Sequence, residues 1–534
     1  MTTRRDFIRQ SSIAAGGMLL GSMYSCSGQR TKLEGGIGGP NSKIGHLLRD
    51  GIPSAPKEIL KEDIVIVGGG IAGLSAARWL KRAGQSFRLL ELESEAGGNS
   101  RSGKNATTAY PLGAHYLPLP NLHNKTLLSF LEECGVITGY KNQLPLYNEY
   151  YLCHDPKERL FINHHWQEGL IPNEGVPSHD REEIRRFIEL MEMYRNKRGA
   201  DGKMAFDIPA KESSQDPSFL ALDLSSMDLF LKSRNFNSEY LRWYVNYCCA
   251  DDFGSSLENT SAWAGIHYFA SRRGHSENSK FDDVLTWPEG NHWLAKKLGT
   301  GISPEIKCQA AVTAIRINNN KVEVDYLDIS ENTSKRIEAK AVIISSPQFV
   351  NKYLLKASRP IDYAAFNYAP WMVANLTVDS ALQDKRGEPL CWDNVIYGSK
   401  SLGYVHATHQ SVAMPQDKTV LTYYQPITDH DCRAARNDAQ GKTWDKWADA
   451  IFRDLSPAHP NLKETTSQLD VYLWGHGMIR PEPEFVWGEA RKAANSPIDN
   501  KIFFAHSDLC GLSLFEEAFE SGIAAARNLL NIIG

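Results

Sequence analysis

The sequence predicts an α/β fold with two domains. Two observations predict it. A strand–helix–strand pattern lies near the start of the folded chain, at residues 62–101, and a buried strand followed by a long helix lies at residues 498–534. At 534 residues the chain is long enough to form two hydrophobic cores.

The strand–helix–strand unit begins with the apolar run 64–67, which has the length and β-branched content of a buried strand. Residues 74–82 show apolar positions on one helical face, and Gly84 is a helix stop. A second strand at 87–90 ends in Glu91. The order is that of the opening βαβ unit of a Rossmann-type domain.

Glycines between the first strand and the helix indicate that this unit binds phosphate groups. The motif Gly68-x-Gly70-x-x-Gly73 allows a tight turn, close approach of a pyrophosphate and close packing of helix on strand. Free N–H groups at the helix start would bind phosphate oxygens. The candidate pyrophosphate-binding residues are Gly68, Gly70, Ile71, Ala72 and Gly73. Glu91 stands where an acidic residue can accept hydrogen bonds from a ribose, so the unit predicts a dinucleotide site.

A second glycine-containing turn, Gly97-Gly98-Asn99-Ser100-Arg101, follows the second strand. With the first motif it resembles the flavin-containing amine oxidase superfamily, which includes monoamine and polyamine oxidases, protoporphyrinogen oxidases and phytoene desaturases. The family usually has Gly-Gly-Arg here, whereas Asn99 replaces the arginine and Arg101 follows two residues later. The resemblance favours FAD over NAD and makes Gly98, Asn99 and Arg101 candidate cofactor contacts.

The same resemblance assigns further cofactor contacts. Gly113 and Ala114 are expected near the isoalloxazine ring, and the backbone of Val312 against the adenine. The C-terminal strand and helix resemble the family's last FAD segment, with His506 in place of a glycine. There Asp508 is the expected partner of the ribityl chain or pyrophosphate, and the N–H groups of Phe515 and Glu516 are expected to face the flavin.

Three residues are candidates for the reaction itself. His115, Trp474 and His476 are the candidate catalytic residues, although a histidine is as often structural as catalytic. The family commonly places a lysine near the flavin, in the strand that follows the Ser345-Ser346-Pro347 segment. Here Trp371 or Met372 stands near that position, which puts typical amine oxidation in doubt.

The resemblance implies an FAD-binding domain assembled from discontinuous segments and an α+β substrate domain with an antiparallel sheet. Alternation predicts strands at 311–317 and 321–327, and again at 372–378 and 419–425. The expected segments are a signal peptide (1–28), a linker (29–61), three parts of the FAD-binding domain (62–112, 285–350 and 498–534) and two parts of the substrate domain (113–284, mainly helical, and 351–497).

Composition limits the function classes. A net charge of −4 argues against nucleic-acid binding. The nine cysteines show no paired metal-ligand spacing, so we expect no metal site. The expected partner is a small-molecule substrate; the oligomeric state stays open.

The N-terminal sequence resembles an export signal. Thr3-Arg4-Arg5-Asp6-Phe7 resembles the twin-arginine export motif, and the weakly apolar stretch after it is too short to span a bilayer comfortably. We therefore expect recognition by the twin-arginine translocation machinery and a periplasmic or other extracytoplasmic location. Cys26 is a candidate lipid anchor, with a discarded signal peptide as the alternative reading.

The leading prediction is an exported FAD-dependent oxidoreductase that removes hydride from a C–N bond of an amine or polyamine. One alternative is a desaturase that acts on a C–C bond of an apolar substrate, which the missing lysine favours. The other is a non-catalytic FAD-bearing protein that binds a partner.

Overall fold

The computed structural model describes residues 33–50, 55–355, 360–380, 382, 385–411 and 418–533. It confirms the α/β fold. The predicted signal peptide, with its twin arginines and Cys26, lies outside the described residues. Among the described residues, no helix combines the length and apolarity that crossing a membrane requires.

Strands are numbered in chain order. They are β1 (Glu34–Gly38), β2 (Glu58–Val67), β3 (Phe87–Leu90), β4 (Ser102–Lys104), β5 (Ala109–Pro111), β6 (Tyr116–Pro118), β7 (Ile137–Lys141), β8 (Leu144–Tyr147), β9 (Glu158–Ile162), β10 (His165–Glu168), β11 (Val284–Thr286), β12 (Ile306–Lys307), β13 (Ala310–Asn318), β14 (Lys321–Asp328), β15 (Thr333–Ile344), β16 (Tyr368–Val378), β17 (Asp393–Ile396), β18 (Tyr404–His406), β19 (Thr419–Pro426), β20 (Thr466–Ile479) and β21 (Ile502–Phe504).

The α-helices are numbered in the same way. They are α1 (Ser42–Gly45), α2 (Leu47–Asp50), α3 (Ile71–Arg82), α4 (Lys125–Glu133), α5 (Ser178–Asn196), α6 (Pro217–Leu220), α7 (Met227–Ser233), α8 (Glu239–Phe253), α9 (Ala262–Ala270), α10 (His292–Gly299), α11 (Gln348–Leu354), α12 (Cys432–Gly441), α13 (Trp444–Leu455), α14 (Leu462–Thr465), α15 (Glu489–Asn495) and α16 (Phe515–Ile533).

A seven-stranded sheet forms the first layer, in the order β12-β3-β2-β15-β14-β13, with β21 also paired to β15. Strand β15 is long enough to serve two neighbours. Its first half pairs with β14 in antiparallel fashion, and its second half pairs with β21 in parallel. β2 runs parallel to β15 along both halves. The parallel part is buried on both faces, which explains its continuous apolar runs.

Helices α3 and α16 pack against each other beside this sheet. The hydroxyl of Ser75 in α3 donates to the carbonyl oxygen of Phe519 in α16 at 3.0 Å. A Cβ atom on Gly522 would lie 2.1 Å from the carbonyl oxygen of Ala72, so the contact requires glycine there. The C-terminal helix is thereby held against the helix that follows the first glycine motif.

The second sheet has eight strands in the order β1-β20-β16-β19-β18-β17-β9-β10. Most neighbouring pairs are antiparallel, whereas β1 with β20 and β17 with β9 are parallel. One face carries α13 and its apolar side chains. The other faces α8, α9 and the aromatic residues described below.

Two stretches differ from the sequence-based expectation. The predicted linker contains β1, which joins the edge of the eight-stranded sheet; its glycine content suggested a flexible segment. The mainly helical segment at 113–284 also contains strands β6 to β10. β9 and β10 form a hairpin with Asn163 and His164 both at positive φ, 50° and 63°, a two-residue turn that the sequence does not announce because it lacks glycine.

Candidate active site

The first glycine turn links β2 to α3. A Cβ atom on Gly73 would lie 1.9 Å from the carbonyl oxygen of Gly68, so no side chain fits there. Gly70 is the N-cap residue of α3, and no side chain of the described residues caps that helix. Ile71 and Ala72 follow in its first turn and are buried. Their N–H groups and the positive end of the helix dipole can bind an anion.

The second glycine turn, residues 97–101, lies directly against the first. The N–H of Gly97 donates to the carbonyl oxygen of Gly69 at 2.8 Å. A Cβ atom on Gly98 would lie 3.1 Å from the Cα atom of Gly70. The structure thus brings the two predicted phosphate-facing turns together, with bare backbone where they meet.

Glu91 ends β3 beside these turns. Its Oε2 accepts a hydrogen bond from the N–H of Gly69 at 2.6 Å, and its Oε1 accepts one from the N–H of Glu93 at 2.8 Å. Burial raises the pKa of Glu91, and these two hydrogen bonds act in the opposite direction. The backbone therefore fixes the carboxylate at the edge of the glycine turns.

Asn99 connects the second glycine turn to the predicted flavin segment. The side-chain amide of Asn99 donates to the carbonyl oxygen of Gly477. The backbone carbonyl oxygen of Asn99 accepts a hydrogen bond from the N–H of Ala114 at 3.1 Å. A Cβ atom on Gly113 would lie 2.3 Å from that same carbonyl oxygen. Gly113 and Ala114 are therefore held next to the turn, and Ala114 is exposed.

Arg101 lies at the same edge and is buried. Its guanidinium pairs with Glu93 at 3.0 Å and donates to the hydroxyl of Tyr472. Its guanidinium carbon lies 5.6 Å from the ring centre of Trp474. Its Nε has no hydrogen-bond partner among the described residues.

Asp508 lies in the turn after β21 and contacts the first residue of α11. Its Oδ2 accepts from the N–H of Gln348 at 2.9 Å and from the hydroxyl of Tyr368. His506 Nδ1 accepts from the N–H of Asp508 at 3.2 Å and lies 3.0 Å from Oδ1. A nitrogen that accepts cannot also donate, so Oδ1 is left without a donor among the described residues. Oδ2 of Asp508 thus accepts hydrogen bonds within the fold, whereas Oδ1 has no hydrogen-bond donor among the described residues.

The remaining predicted cofactor contacts lie in β13 and at the start of α16. Val312 lies in β13 and packs in one core with Leu90, the neighbour of Glu91. Phe515 and Glu516 begin α16 and are buried. Burial raises the pKa of Glu516 to about 7.

His115 lies in an aromatic wall. Its ring stacks on Tyr424 with a centroid distance of 4.5 Å, and the rings of Tyr116 and Trp392 lie 5.1 and 5.6 Å away. Burial lowers the pKa of His115 to about 4, so the ring is neutral at pH 7. The hydroxyl of Tyr424 donates to the carbonyl oxygen of Gly113 at 3.1 Å, which ties this wall to the predicted flavin segment.

His476 does not join His115. It stacks on Phe349 of α11 at a centroid distance of 3.9 Å and meets the ring of Tyr368 edge-on. Burial lowers its pKa to about 3. Of the three candidate catalytic residues, His115 and Trp474 belong to the core that faces α8, whereas His476 packs against α11 instead.

Strand alternation separates the two residues at the family's lysine position. Trp371 pairs in register with Trp474 and lies in the same core cluster as that residue and Tyr424. Met372 lies on the opposite face, in the core formed with α13. Trp371 is therefore the residue that stands on the face of the aromatic wall.

Three carboxylates lie beside this wall. Glu158 of β9 and Asp393 of β17 are direct register partners in a parallel pair, so their side chains share one face of the sheet. Asp251 of α8 accepts a hydrogen bond from the hydroxyl of Tyr116 at 3.1 Å. The hydroxyl of Tyr247 lies 3.5 Å from Oδ2 of Asp393. Among the described residues, none of the three carboxylates forms an ion pair.

The electrostatic effects of these groups on one another show that they lie close together. Burial, then the negative charges of Glu158 and Asp251, raise the pKa of Asp393 well above its usual range. Burial raises the pKa of Asp251 in the same way, and its neighbour Asp252 adds to the effect. Glu158 keeps an exposed surface, yet surrounding protein atoms raise its pKa. Solvent therefore reaches the Glu158 side chain although protein atoms surround much of it.

We refer to this cluster of carboxylates and aromatic side chains as the acidic chamber. It is formed by Glu158, Asp251, Asp393, His115, Tyr116, Trp392 and Tyr424.

Comparison with known proteins identifies the family of this chain. The sequence matches the model for "Flavin containing amine oxidoreductase" over residues 71–530. The chain belongs to this family.

Individual relatives are distant or match locally. Over 83 residues, 15% of this chain and 15% of the relative, the sequence is 41% identical to a flavin-containing amine oxidase of Oncorhynchus mykiss. Over 520 residues it is 23% identical to the chloroplastic protoporphyrinogen oxidase of Oryza sativa subsp. japonica, covering 88% of this chain and 89% of the relative. A solved structure of a putrescine oxidase double mutant matches with a TM-score of 0.66 and 15% identity, over 89% of this chain and 100% of that chain. The structural likeness shows the fold.

Family membership confirms the resemblance that the sequence motifs indicated. The protein is a flavin-dependent oxidoreductase, and its cofactor is FAD. The specific roles of the predicted contact residues stay predictions.

The residues present fit FAD. The structure leaves three buried polar atoms of this region without a hydrogen-bond partner among the described residues: Arg101 Nε and Ser345 Oγ near the glycine turns, and Asp508 Oδ1 next to the first residue of α11. Buried groups of this kind are rare unless something else satisfies them. The glycine turns would hold the pyrophosphate, and Glu91 the adenosine ribose. When bound, FAD supplies the acceptor for two electrons and a proton.

Sequence reasoning missed Ser345 and Gln348. Both follow β15, in a stretch of the sequence that matches none of the motifs considered above. A Cβ atom on Gly68 would lie 2.9 Å from the carbonyl oxygen of Ser345, which places that residue at the first glycine turn. Gln348 Nε2 is a further buried atom without a hydrogen-bond partner among the described residues.

Gly70→Val tests the cofactor site. A Cβ atom at Gly70 would lie 4.0 Å from Gly98, an ordinary contact, so we expect the fold to persist while the valine fills the space for the pyrophosphate. The predicted result is a folded protein whose flavin content, measured by visible absorbance, falls about tenfold or more, a loss of ~1.4 kcal/mol or more.

The matched control is Gly441→Val, where a Cβ atom would meet nothing within 4 Å among the described residues. We expect the control to purify with as much flavin as the parent protein. Full flavin content in Gly70→Val would contradict the assignment of this turn.

Proposed function

We propose that this flavoprotein oxidises a C–N bond of a cationic amine or polyamine. One observation carries the proposal: three carboxylates without ion pairs among the described residues line a chamber with an aromatic wall. Buried anions that lack a partner are costly, and a cation that enters the chamber would offset that cost. Neighbouring aromatic faces would add cation–π attraction. The chamber therefore favours a positively charged substrate over a neutral one.

The residues of the chamber have distinct tasks in this proposal. Asp393 and Glu158, on one face of the sheet, attract and orient the ammonium group. Because their raised pKa values make these carboxylates better proton acceptors than ordinary ones, they suit removal of a proton from the bound ammonium. His115 is neutral and adds no positive charge to the chamber. The aromatic rings exclude water and restrict the orientation of the substrate.

A second candidate function is removal of hydride from a C–C bond of an apolar substrate. The observation that favours it is Trp371 on the chamber face, where amine oxidases of the family commonly have a lysine. The likeness to a protoporphyrinogen oxidase keeps this class in the same family. We rank it second because an apolar substrate would leave Asp251, Asp393 and Glu158 without compensation.

Asp393→Asn separates these two functions. In the amine proposal this near-isosteric change removes one attractive charge, so KM for a reactive amine rises about tenfold, which corresponds to ~1.4 kcal/mol. The measurement is anaerobic bleaching of bound flavin against amine concentration, with a panel of monoamines and diamines. Asp438→Asn, on exposed α12, is the matched control and is expected to leave KM unchanged. Unchanged KM in Asp393→Asn, or bleaching by no amine, would contradict the proposal.

The pH dependence of amine binding follows from the raised carboxyl pKa values. Below these values Asp393 and Asp251 take up protons and lose the charge that attracts the ammonium. Amine affinity is therefore expected to fall as pH decreases, starting above the ordinary aspartate value of about 3.9. A titration of bleaching against pH measures this loss. In Asp393→Asn the loss should be smaller; an identical pH profile in both proteins would exclude Asp393 as the titrating group.

We also propose that the protein is exported folded, by the twin-arginine route, to the periplasm or another extracytoplasmic space. The support is the sequence around Arg4 and Arg5, and the benefit of loading FAD before export. Replacing both arginines by lysine is expected to retain the flavoprotein in the cytoplasm, as cell fractionation would show. Normal export of that variant would contradict the route. Release of the protein from the membrane by Cys26→Ala would establish a lipid anchor.

A further inference from the structure

The N-terminal arm, residues 33–50, lies along the cofactor edge of the protein. Its strand β1 extends the eight-stranded sheet in parallel to β20, from the pair Glu34 and Gln468 to the pair Gly38 and Tyr472. Leu48 of α2 packs against the core of the seven-stranded sheet. The arm therefore contacts both sheets.

Close backbone contact determines where β1 lies. Gly35 has a φ of +151°, and a Cβ atom on it would lie 1.8 Å from the carbonyl oxygen of Leu469. A side chain at this position cannot be accommodated without moving the arm. At the next residue, Gly36, a Cβ atom would meet nothing within 4 Å among the described residues. A side chain can therefore be added at Gly36 but not at the adjacent Gly35.

The arm also reaches the charged pair next to the glycine turns. The N–H of Asn41 donates to Oε1 of Glu93 at 2.7 Å, while Oε2 of Glu93 pairs with Arg101 at 3.0 Å. Tyr472, the partner of Gly38 in β20, accepts a hydrogen bond from the same guanidinium. Both residues that hold Arg101 in place are therefore themselves contacted by the arm.

We propose that the N-terminal arm is a clasp that positions Glu93 and Arg101 at the FAD site and slows release of the cofactor. Asn41 is a positioning residue, since it acts through Glu93. The N–H of Glu93 holds Glu91, so displacement of the arm would loosen the carboxylate at the ribose position as well. The inference rests on FAD being the cofactor and is independent of which substrate the enzyme oxidises.

Gly35→Ala and Gly36→Ala in the full-length holoenzyme test the clasp. Both remove a glycine from β1, but only the first creates a clash with β20. We expect bound FAD to exchange with isotope-labelled FAD about tenfold faster in Gly35→Ala, and within twofold of the parent rate in Gly36→Ala. A purely structural role of the arm would lower the melting temperature of the variant without this difference in exchange.

A second pair of variants isolates the hydrogen bond to Glu93. Asn41 has a φ of −69°, which proline adopts readily, so Asn41→Pro removes the N–H donor with little backbone change. Asn41→Ala keeps that donor and loses the side-chain cap of α1. We expect faster FAD exchange in the proline variant than in the alanine variant.

Equal exchange rates in Gly35→Ala and Gly36→Ala, together with equal rates in both Asn41 variants, would overturn the clasp. Failure of the cofactor conclusion has a different signature, because the parent protein would then purify without FAD.

Discussion

Contact between two bare stretches of backbone organises this protein. The turn after β2 and the turn after β3 meet at Gly70 and Gly98, and a Cβ atom on Gly98 would lie only 3.1 Å from the Cα atom of Gly70. That contact places the start of α3, the carboxylate of Glu91 and the guanidinium of Arg101 along one edge. The C-terminal helix is bound to α3 through Gly522, so the last segment of the chain also depends on this arrangement. Close backbone packing thereby creates the cofactor site from distant parts of the chain.

The chamber beyond this edge follows a different principle. Its carboxylates come from neighbouring strands of the eight-stranded sheet and from α8, and among the described residues none of the three forms an ion pair. Burying Asp251, Asp393 and Glu158 together costs free energy, which the rest of the fold must supply. Such a cost is typical of functional sites, where strained or poorly compensated groups are kept because they act on a ligand.

Local signals allowed much of the cofactor half to be predicted. Glycine spacing, apolar runs and a terminal acid act over a few residues, and the structure brings Gly68 to Gly73, Glu91, Gly98, Asn99 and Arg101 together as expected. The chamber could not be predicted in this way. Glu158 and Asp393 become neighbours only through sheet register, and alternation alone does not reveal which strands pair. His476 looked like a pocket residue because of its sequence context, but the course of β20 places it against Phe349. The arm resembled a linker because glycine marks both flexible segments and close backbone contacts.

Selection of positive charge by the acidic chamber can be measured in a single experiment. An unreactive quaternary ammonium ligand and its neutral carbon isostere, of equal shape, can be titrated into the oxidised holoenzyme while the visible spectrum of bound flavin is recorded. We expect a saturable spectral change with the cation, and binding of the neutral isostere at least about tenfold weaker. Equal affinity for both ligands, or preference for the neutral one, would contradict it.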